Sequence, residues 1–285
     1  MIYNRDTKEI TKEKDSLVLK LLYNNIIGRI TLKVLTQKWV NDIGAKYMSS
    51  KLSKKRIKKF IKKNKLNMNE YDEIEYSSFN DFFIRKIKDE KRIMSNDTNN
   101  FLAPADSRLT VYEINDDTAM NIKNSIYTVE ELVRDKSLAS KYKGGYCLVY
   151  RLCVDDYHRY SFIDNGKIVD GKKIKGVFHT VQAISFKKYK VFKENCREYT
   201  VLETENFGVI TQIEVGATLV GKICNNNKEE FNRGDEKGYF CFGGSTIVLL
   251  VEKDKIVIDK DILEKSAQDI ETRVLLFDKI GRKLG

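Results

Sequence analysis

The sequence predicts an α+β chain, with helices gathered in an N-terminal region and a predominantly β body behind them. Two observations carry this. Between residues 16 and 49 apolar side chains recur at threes and fours (Leu19, Leu22, Ile26, Ile30, Val34), the spacing that lines one face of a helix. From about residue 100 the pattern changes to short apolar runs punctuated by Gly, Asn and Asp, as strands and turns are. No regular alternation of strand with helix follows, which argues against a doubly wound sheet or an α/β barrel. Residues 1–98 are accordingly assigned to a basic helical region and 99–285 to a β-rich body. At 285 residues the chain suits one large domain, or one domain with an appendage.

The charge follows the same division. Residues 1–66 hold 18 Lys/Arg against 5 Asp/Glu, whereas the whole chain nets +11, so everything after residue 66 is slightly acidic. This is a basic segment on a near-neutral body, not a body built to grip polyanions. Within it, KLSKKRIKKFIKKNK (51–65) has nine basic residues, no acidic one, and Ile57, Phe60 and Ile61 at helical spacing. It reads either as a solvated helix whose apolar stripe packs on the body, or as a helix lying in the plane of an anionic membrane. Nucleic-acid binding is the weakest reading, because the stretch has one aromatic residue and no recognisable nucleic-acid module.

In the body, strands are expected at Arg108–Glu113, Tyr146–Leu152, Lys173–Phe178, Val209–Val215, Thr218–Ile223 and Thr246–Glu252, with one helical stretch over Thr128–Val133 introduced by Ser125 or Thr128 as cap. The five cysteines include no CxxC pair and leave one over from any pairing, so reduced thiols are expected. The opening MIYNRDTKEITKEKD is too polar for a signal peptide, and no run approaches the roughly 18 apolar residues of a membrane span. An intracellular protein that does not span the membrane is expected.

Three stretches could carry chemistry. GYFCFGGSTIVLL (238–250) sets Gly243-Gly244 directly before Ser245 at the mouth of an apolar run. A bulge would explain it; so would a serine that needs a contorted backbone around it. CVDDYHRYSFIDNG places His158 among Asp155, Asp156, Tyr157 and Arg159 at a strand end, where a base titrating near neutrality is useful. His179, in GVFHTV, reads as structural. FLAPADSRLTVYE puts Asp106 after the only proline, which by itself is turn chemistry. Two histidines without a Cys/His cluster make a zinc site improbable, and no G-x-S-x-G elbow or Walker loop is present.

FNDFFIRKIKDEKRI (79–93), APADS (103–107), DYHR (156–159), VFKENCRE (191–198), VGATLVGKI (215–223) and FGGST (242–246) occur in that order. In order and wording they resemble the phosphatidylserine decarboxylase proenzymes, most closely the clostridial kind with a GGST cleavage site, from about residue 17 to near the C-terminus. The resemblance implies self-cleavage between Gly244 and Ser245 into chains 1–244 and 245–285. Ser245 would become a pyruvoyl group, the covalent cofactor that condenses with the substrate amine and accepts the electrons left by departing carbon dioxide. It also implies a processing triad of Asp106, His158 and Ser245, with Asp106 orienting the imidazole. Many family members carry a second histidine as DYHRxH; here that position is Ser161, so His158 either serves both steps or the roles are shared otherwise. The implied substrate is phosphatidylserine in an anionic membrane, met peripherally at its cytoplasmic face, with no metal and no nucleic acid. A soluble amino acid as substrate, or a processing-dead membrane or nucleic-acid adaptor, are the competing readings. A homo-oligomer stays open.

Overall fold

The computed structural model describes residues 1–12, 17–122, 125–180, 189–217, 222–226, 228–243 and 245–285. Its architecture is built around Ser245–Val251, a strand in which every residue is buried. An apolar run with no polar alternation is what a strand covered on both faces requires. Its neighbours, Gly208–Gly216 and Tyr146–Leu152, are antiparallel to it, in a register that sets Ser245 opposite both Gly216 and Leu152. These lie inside a ten-stranded sheet ordered Glu230–Phe231, Gly166–Ile174, Arg197–Thr204, Gly208–Gly216, Ser245–Val251, Tyr146–Leu152, Ser107–Glu113, Glu271–Val274, Ile2–Asn4, Ile10–Thr11. A smaller sheet of Arg159–Ser161, Glu236–Phe240 and Ile223–Asn225 runs directly into the segment ahead of Ser245.

Mixed helix and sheet with a largely β body agrees with the expected class. The division at 98/99 is less clean, because Ile2–Asn4 pairs in parallel with Glu271–Val274 and so begins the chain inside the body's sheet. The helix from Thr128 is present as Val129–Val133, with a full capping box between Thr128 and Glu131. Among the strands, Lys173–Phe178 was misplaced: the strand is Gly166–Ile174, a charged and mostly exposed segment that carries little apolar periodicity. Arg197–Thr204 was not expected at all. Most of the expected strand Thr218–Ile223 lies outside the described residues.

The N-terminal region forms α1 (Leu17–Asn24), α2 (Ile26–Leu35), α3 (Lys38–Met48), α4 (Arg56–Asn64) and α5 (Phe79–Phe83). The single period over 16–49 is broken at Asn25, whose side chain caps α2 by accepting from the Ile27 amide. Gly28 lets α2 fold back on α1: a Cβ there would stand 2.3 Å from the Leu21 carbonyl oxygen. The stripe Ile26, Ile30 and Val34 faces solvent, as does Trp39, Ile43 and Tyr47 on α3. In α4 the opposite holds. Ile57 is buried, and the Phe60 ring lies 5.2 Å from Phe79 and 5.9 Å from Phe82. Its apolar stripe therefore packs inward against α5, within the N-terminal region, and the expectation that Ile57, Phe60 and Ile61 face lipid is corrected. No described helix is long and apolar enough to cross a membrane.

Candidate active site

Ser245 opens its strand fully buried, and the chain ahead of it is held on two sides. The Cys241 amide donates to the Lys222 carbonyl, and the Phe242 amide donates to the Asn80 side chain of α5. Gly243 adopts φ 143, a region that favours glycine over other residues, so a contorted backbone does precede the serine. Gly244 lies outside the described residues.

His158 meets Ser245 directly: Nδ1 is 3.3 Å from the serine Oγ. The other ring nitrogen, Nε2, is 2.9 Å from the Cys153 carbonyl oxygen. A carbonyl only accepts, so Nε2 must carry the proton, which leaves the Nδ1 lone pair facing the hydroxyl. This is the tautomer that a base for Ser245 needs. The loop holding the ring is closed on itself, with the Cys153 amide donating to Asp156 Oδ2 and the Asp156 amide donating to the Cys153 carbonyl. Asp156 also pairs with Arg108. The imidazole stacks on Phe83 of α5, with centroids 4.1 Å apart. Burial drives its pKa down to about 3 against the opposing pull of Asp156, with Arg85 and Arg108 adding to the fall. The ring is neutral at physiological pH.

Asp106 is not brought to His158. Its carboxylate is a bidentate acceptor from Arg92, at 3.1 Å from Nε and 2.7 Å from Nη2, and accepts from the Leu276 amide at 2.7 Å. The orientation expected of Asp106 is thus supplied, in this arrangement, by the Cys153 carbonyl. Ser161 is buried, and its amide donates to the Pro104 carbonyl. His179 is structural, as expected: it stacks on Tyr189, and its backbone exchanges two hydrogen bonds with the Asn195 side chain.

Two features of the site escaped the sequence reading. Lys237, on the strand leading to Ser245, is buried against Glu214 at 2.8 Å, and Gln212 and Asn225 complete the carboxylate's partners. Glu214 lies opposite Ile247, hence on the same sheet face as Ser245. Arg85 is the second, fully buried behind the His158 loop. Among the described residues no group of three or more His, Cys, Asp or Glu side chains could hold a metal ion, and all five cysteines are free thiols.

Compared with known proteins, residues 79–275 match the family model described as phosphatidylserine decarboxylase. The chain is 54% identical to phosphatidylserine decarboxylase proenzyme 2 of Clostridium acetobutylicum over 98% of its own length and 97% of the relative's. It is 42% identical to the phosphatidylserine decarboxylase proenzyme of Clostridium tetani, covering 99% and 97%. The proenzyme of that name from Fusobacterium nucleatum is 41% identical, covering 98% and 96%.

Proposed function

The chain belongs to the phosphatidylserine decarboxylase family, and from that premise we propose that it cleaves itself before Ser245 and then decarboxylates phosphatidylserine to phosphatidylethanolamine. The observation that carries the first step is the contact between the Ser245 hydroxyl and a ring nitrogen that must hold a lone pair. His158 takes the hydroxyl proton as Oγ attacks the preceding carbonyl, and returns it to the departing amide nitrogen of residue 245. The peptide becomes an ester. Loss of the Cα proton of residue 245 with cleavage of its Cβ–O bond then frees residues 1–244 with a carboxylate. Water converts the remaining enamine, with loss of ammonia, to a pyruvoyl group on 245–285.

The residues present suit that group: it is generated from the chain itself, at a buried strand end with one neutral acid–base side chain beside it. When formed, it supplies an electron sink for the leaving carboxylate. His158 Nδ1, which faces the Ser245 side chain, would be the protein group placed to give or take a proton beside it during turnover. Phe83, against which Phe242 packs edge-on, covers one face of the imidazole with apolar surface.

A phospholipid substrate also asks for a surface that reaches a bilayer. The outward stripes of α2 and α3 provide one, with Ile26, Ile27, Ile30, Trp39 and Ile43 all more than half exposed. They replace α4 in the membrane-docking role, while the lysines of α4 contribute charge.

Denaturing mass analysis tests the proposal. Active protein should be two chains, 1–244 and 245–285, the shorter reactive toward carbonyl reagents and blocked to Edman degradation. A single unmodified full-length mass in active enzyme would falsify it.

A further inference from the structure

We propose that Arg85 is a positioning residue for self-cleavage, its guanidinium clamping the His158 loop to the aromatic surface on which the imidazole stacks. Arg85 directly follows the Ile84 C-cap of α5 and is 1% exposed. Its cation lies over the Tyr71 ring at 4.3 Å and the Phe82 ring at 5.0 Å. Nη2 donates to the carbonyls of Asp155 and Asp156, each at 3.4 Å, and to the Tyr71 hydroxyl at 3.3 Å. Nη1 donates to the carbonyl of Phe83 at 3.5 Å.

Those acceptors converge. Asp155 and Asp156 form the loop that carries His158, and Phe83 is the ring beneath it. One side chain therefore spans both supports of the imidazole. No carboxylate hydrogen-bonds Arg85 among the described residues, and its Nε is buried without a partner. Burying a cation without a counter-ion is costly, and a neutral side chain of similar size would fill the space without that penalty. Arg197, also fully buried and without an acid partner among the described residues, shows the contrast: its fork closes the carbonyls of Glu131, Leu132, Lys193 and Asn195, none of them on the His158 loop.

The charge has a use here. A cation beside an imidazole opposes its protonation, so it favours the neutral ring that can take the serine proton. The charged groups acting on His158 are Asp156 on its own loop, Arg108 from Ser107–Glu113 and Arg85 from behind α5. Arg108 is neutralised by its pair with Asp156; Arg85 is not so paired.

The inference rests on His158 serving as the base for Ser245. Its test uses the uncleaved Ser245→Ala proenzyme labelled with ¹⁵N-histidine, which has two imidazoles, told apart with His158→Gln. In that parent, the His158 ring is expected as one neutral tautomer protonated at Nε2. Adding Arg85→Met is expected to average the two ring nitrogens and to raise the protonation midpoint by about one unit. With Ser245 restored, Arg85→Met should slow self-cleavage roughly tenfold or more. Arg85→Lys keeps the charge without the fork, so the ring should stay neutral but tautomer-averaged, and cleavage should be intermediate. A His158 ring unchanged in tautomer and titration in Arg85→Met overturns the proposal even if cleavage slows, because a purely structural loss leaves the ring unmoved. Should the methionine variant fail to fold, an unaveraged ring in Arg85→Lys with wild-type cleavage overturns it. Normal cleavage in His158→Gln would instead remove the base reading on which the inference stands.

Discussion

Burial takes the His158 imidazole out of water, and the lost solvation of its charged form outweighs what Asp156 returns, so its folded pKa falls to about 3. The unfolded chain takes up a proton there below about pH 6.5, whereas the folded chain does not. Stability from this group is therefore present above pH 6.5 and is lost as pH falls toward 3. Thermal melts of the Ser245→Ala proenzyme should show a steep decline across that window, and adding His158→Gln should flatten it; an unchanged slope would contradict the buried neutral ring. Asp106 behaves differently. Asp106→Asn loosens a buried ion pair with Arg92, so it should destabilise the proenzyme by about 3–5 kcal/mol, with slower cleavage as the consequence. His158→Gln should abolish cleavage at pH 8 with little loss of melting temperature. An Asp106→Asn protein of native stability that cannot cleave would return the aspartate to the imidazole. The meeting of His158 with Ser245 joins two stretches that stand out in sequence, because a histidine among turn residues and a serine behind two glycines are unusual in type and setting. The orienting group does not stand out. The partner that Nε2 meets is the carbonyl of Cys153, and a backbone atom has no residue-type signature.

Between residue and molecule, the element that matters most is Glu236–Phe240, which delivers the chain to the cleavage segment. Its placement depends on Lys237, buried against Glu214 on the main sheet. Lys237→Met leaves that carboxylate buried with only the Gln212 and Asn225 amides, which should cost about 3–5 kcal/mol. Combining it with Glu214→Leu should recover much of the loss, as calorimetry of the Ser245→Ala background can measure through a double-mutant cycle. If the single variant melts like its parent, the pair does not anchor the strand. The pair was invisible in sequence because its members are 23 residues apart, so no local window contains both. The same physics explains which strands were read correctly. Tyr146–Leu152 and Ser245–Val251 are buried on nearly every residue and announce themselves as apolar runs. Gly166–Ile174 is exposed and lysine-rich, so its strand identity comes from pairing with Arg197–Thr204, a long-range fact that no local window contains.

At the scale of the whole molecule, the proposed function requires the active site to meet a head group at a bilayer surface, and the two candidate contacts differ in physics. The basic stretch 51–65 offers charge, each Lys or Arg near an anionic surface contributing up to about 1 kcal/mol, screened over roughly 8–10 Å at physiological salt. The α2 and α3 stripes offer insertion, and full burial of one Ile or Leu side chain is worth about 1.5–3 kcal/mol. Because α4 turns its apolar residues into the Phe79 and Phe82 cluster, the two contributions are carried by different helices and can be separated. Ile26, Ile27 and Ile30 changed together to Ser should lower binding to phosphatidylserine-containing vesicles at least tenfold, and added salt should not reproduce that loss. Lys54, Lys55, Lys58 and Lys59 changed together to Glu should lower it in the way that salt does, and only on anionic vesicles. Self-cleavage should persist in both, since that chemistry depends on the buried contact between Ser245 and His158. If the serine variant binds like wild type while the glutamate variant does not, the stripes are not a docking surface, and attraction to the bilayer is electrostatic alone. The exposure of Ile27 at 73% and Trp39 at 58% would then need another partner.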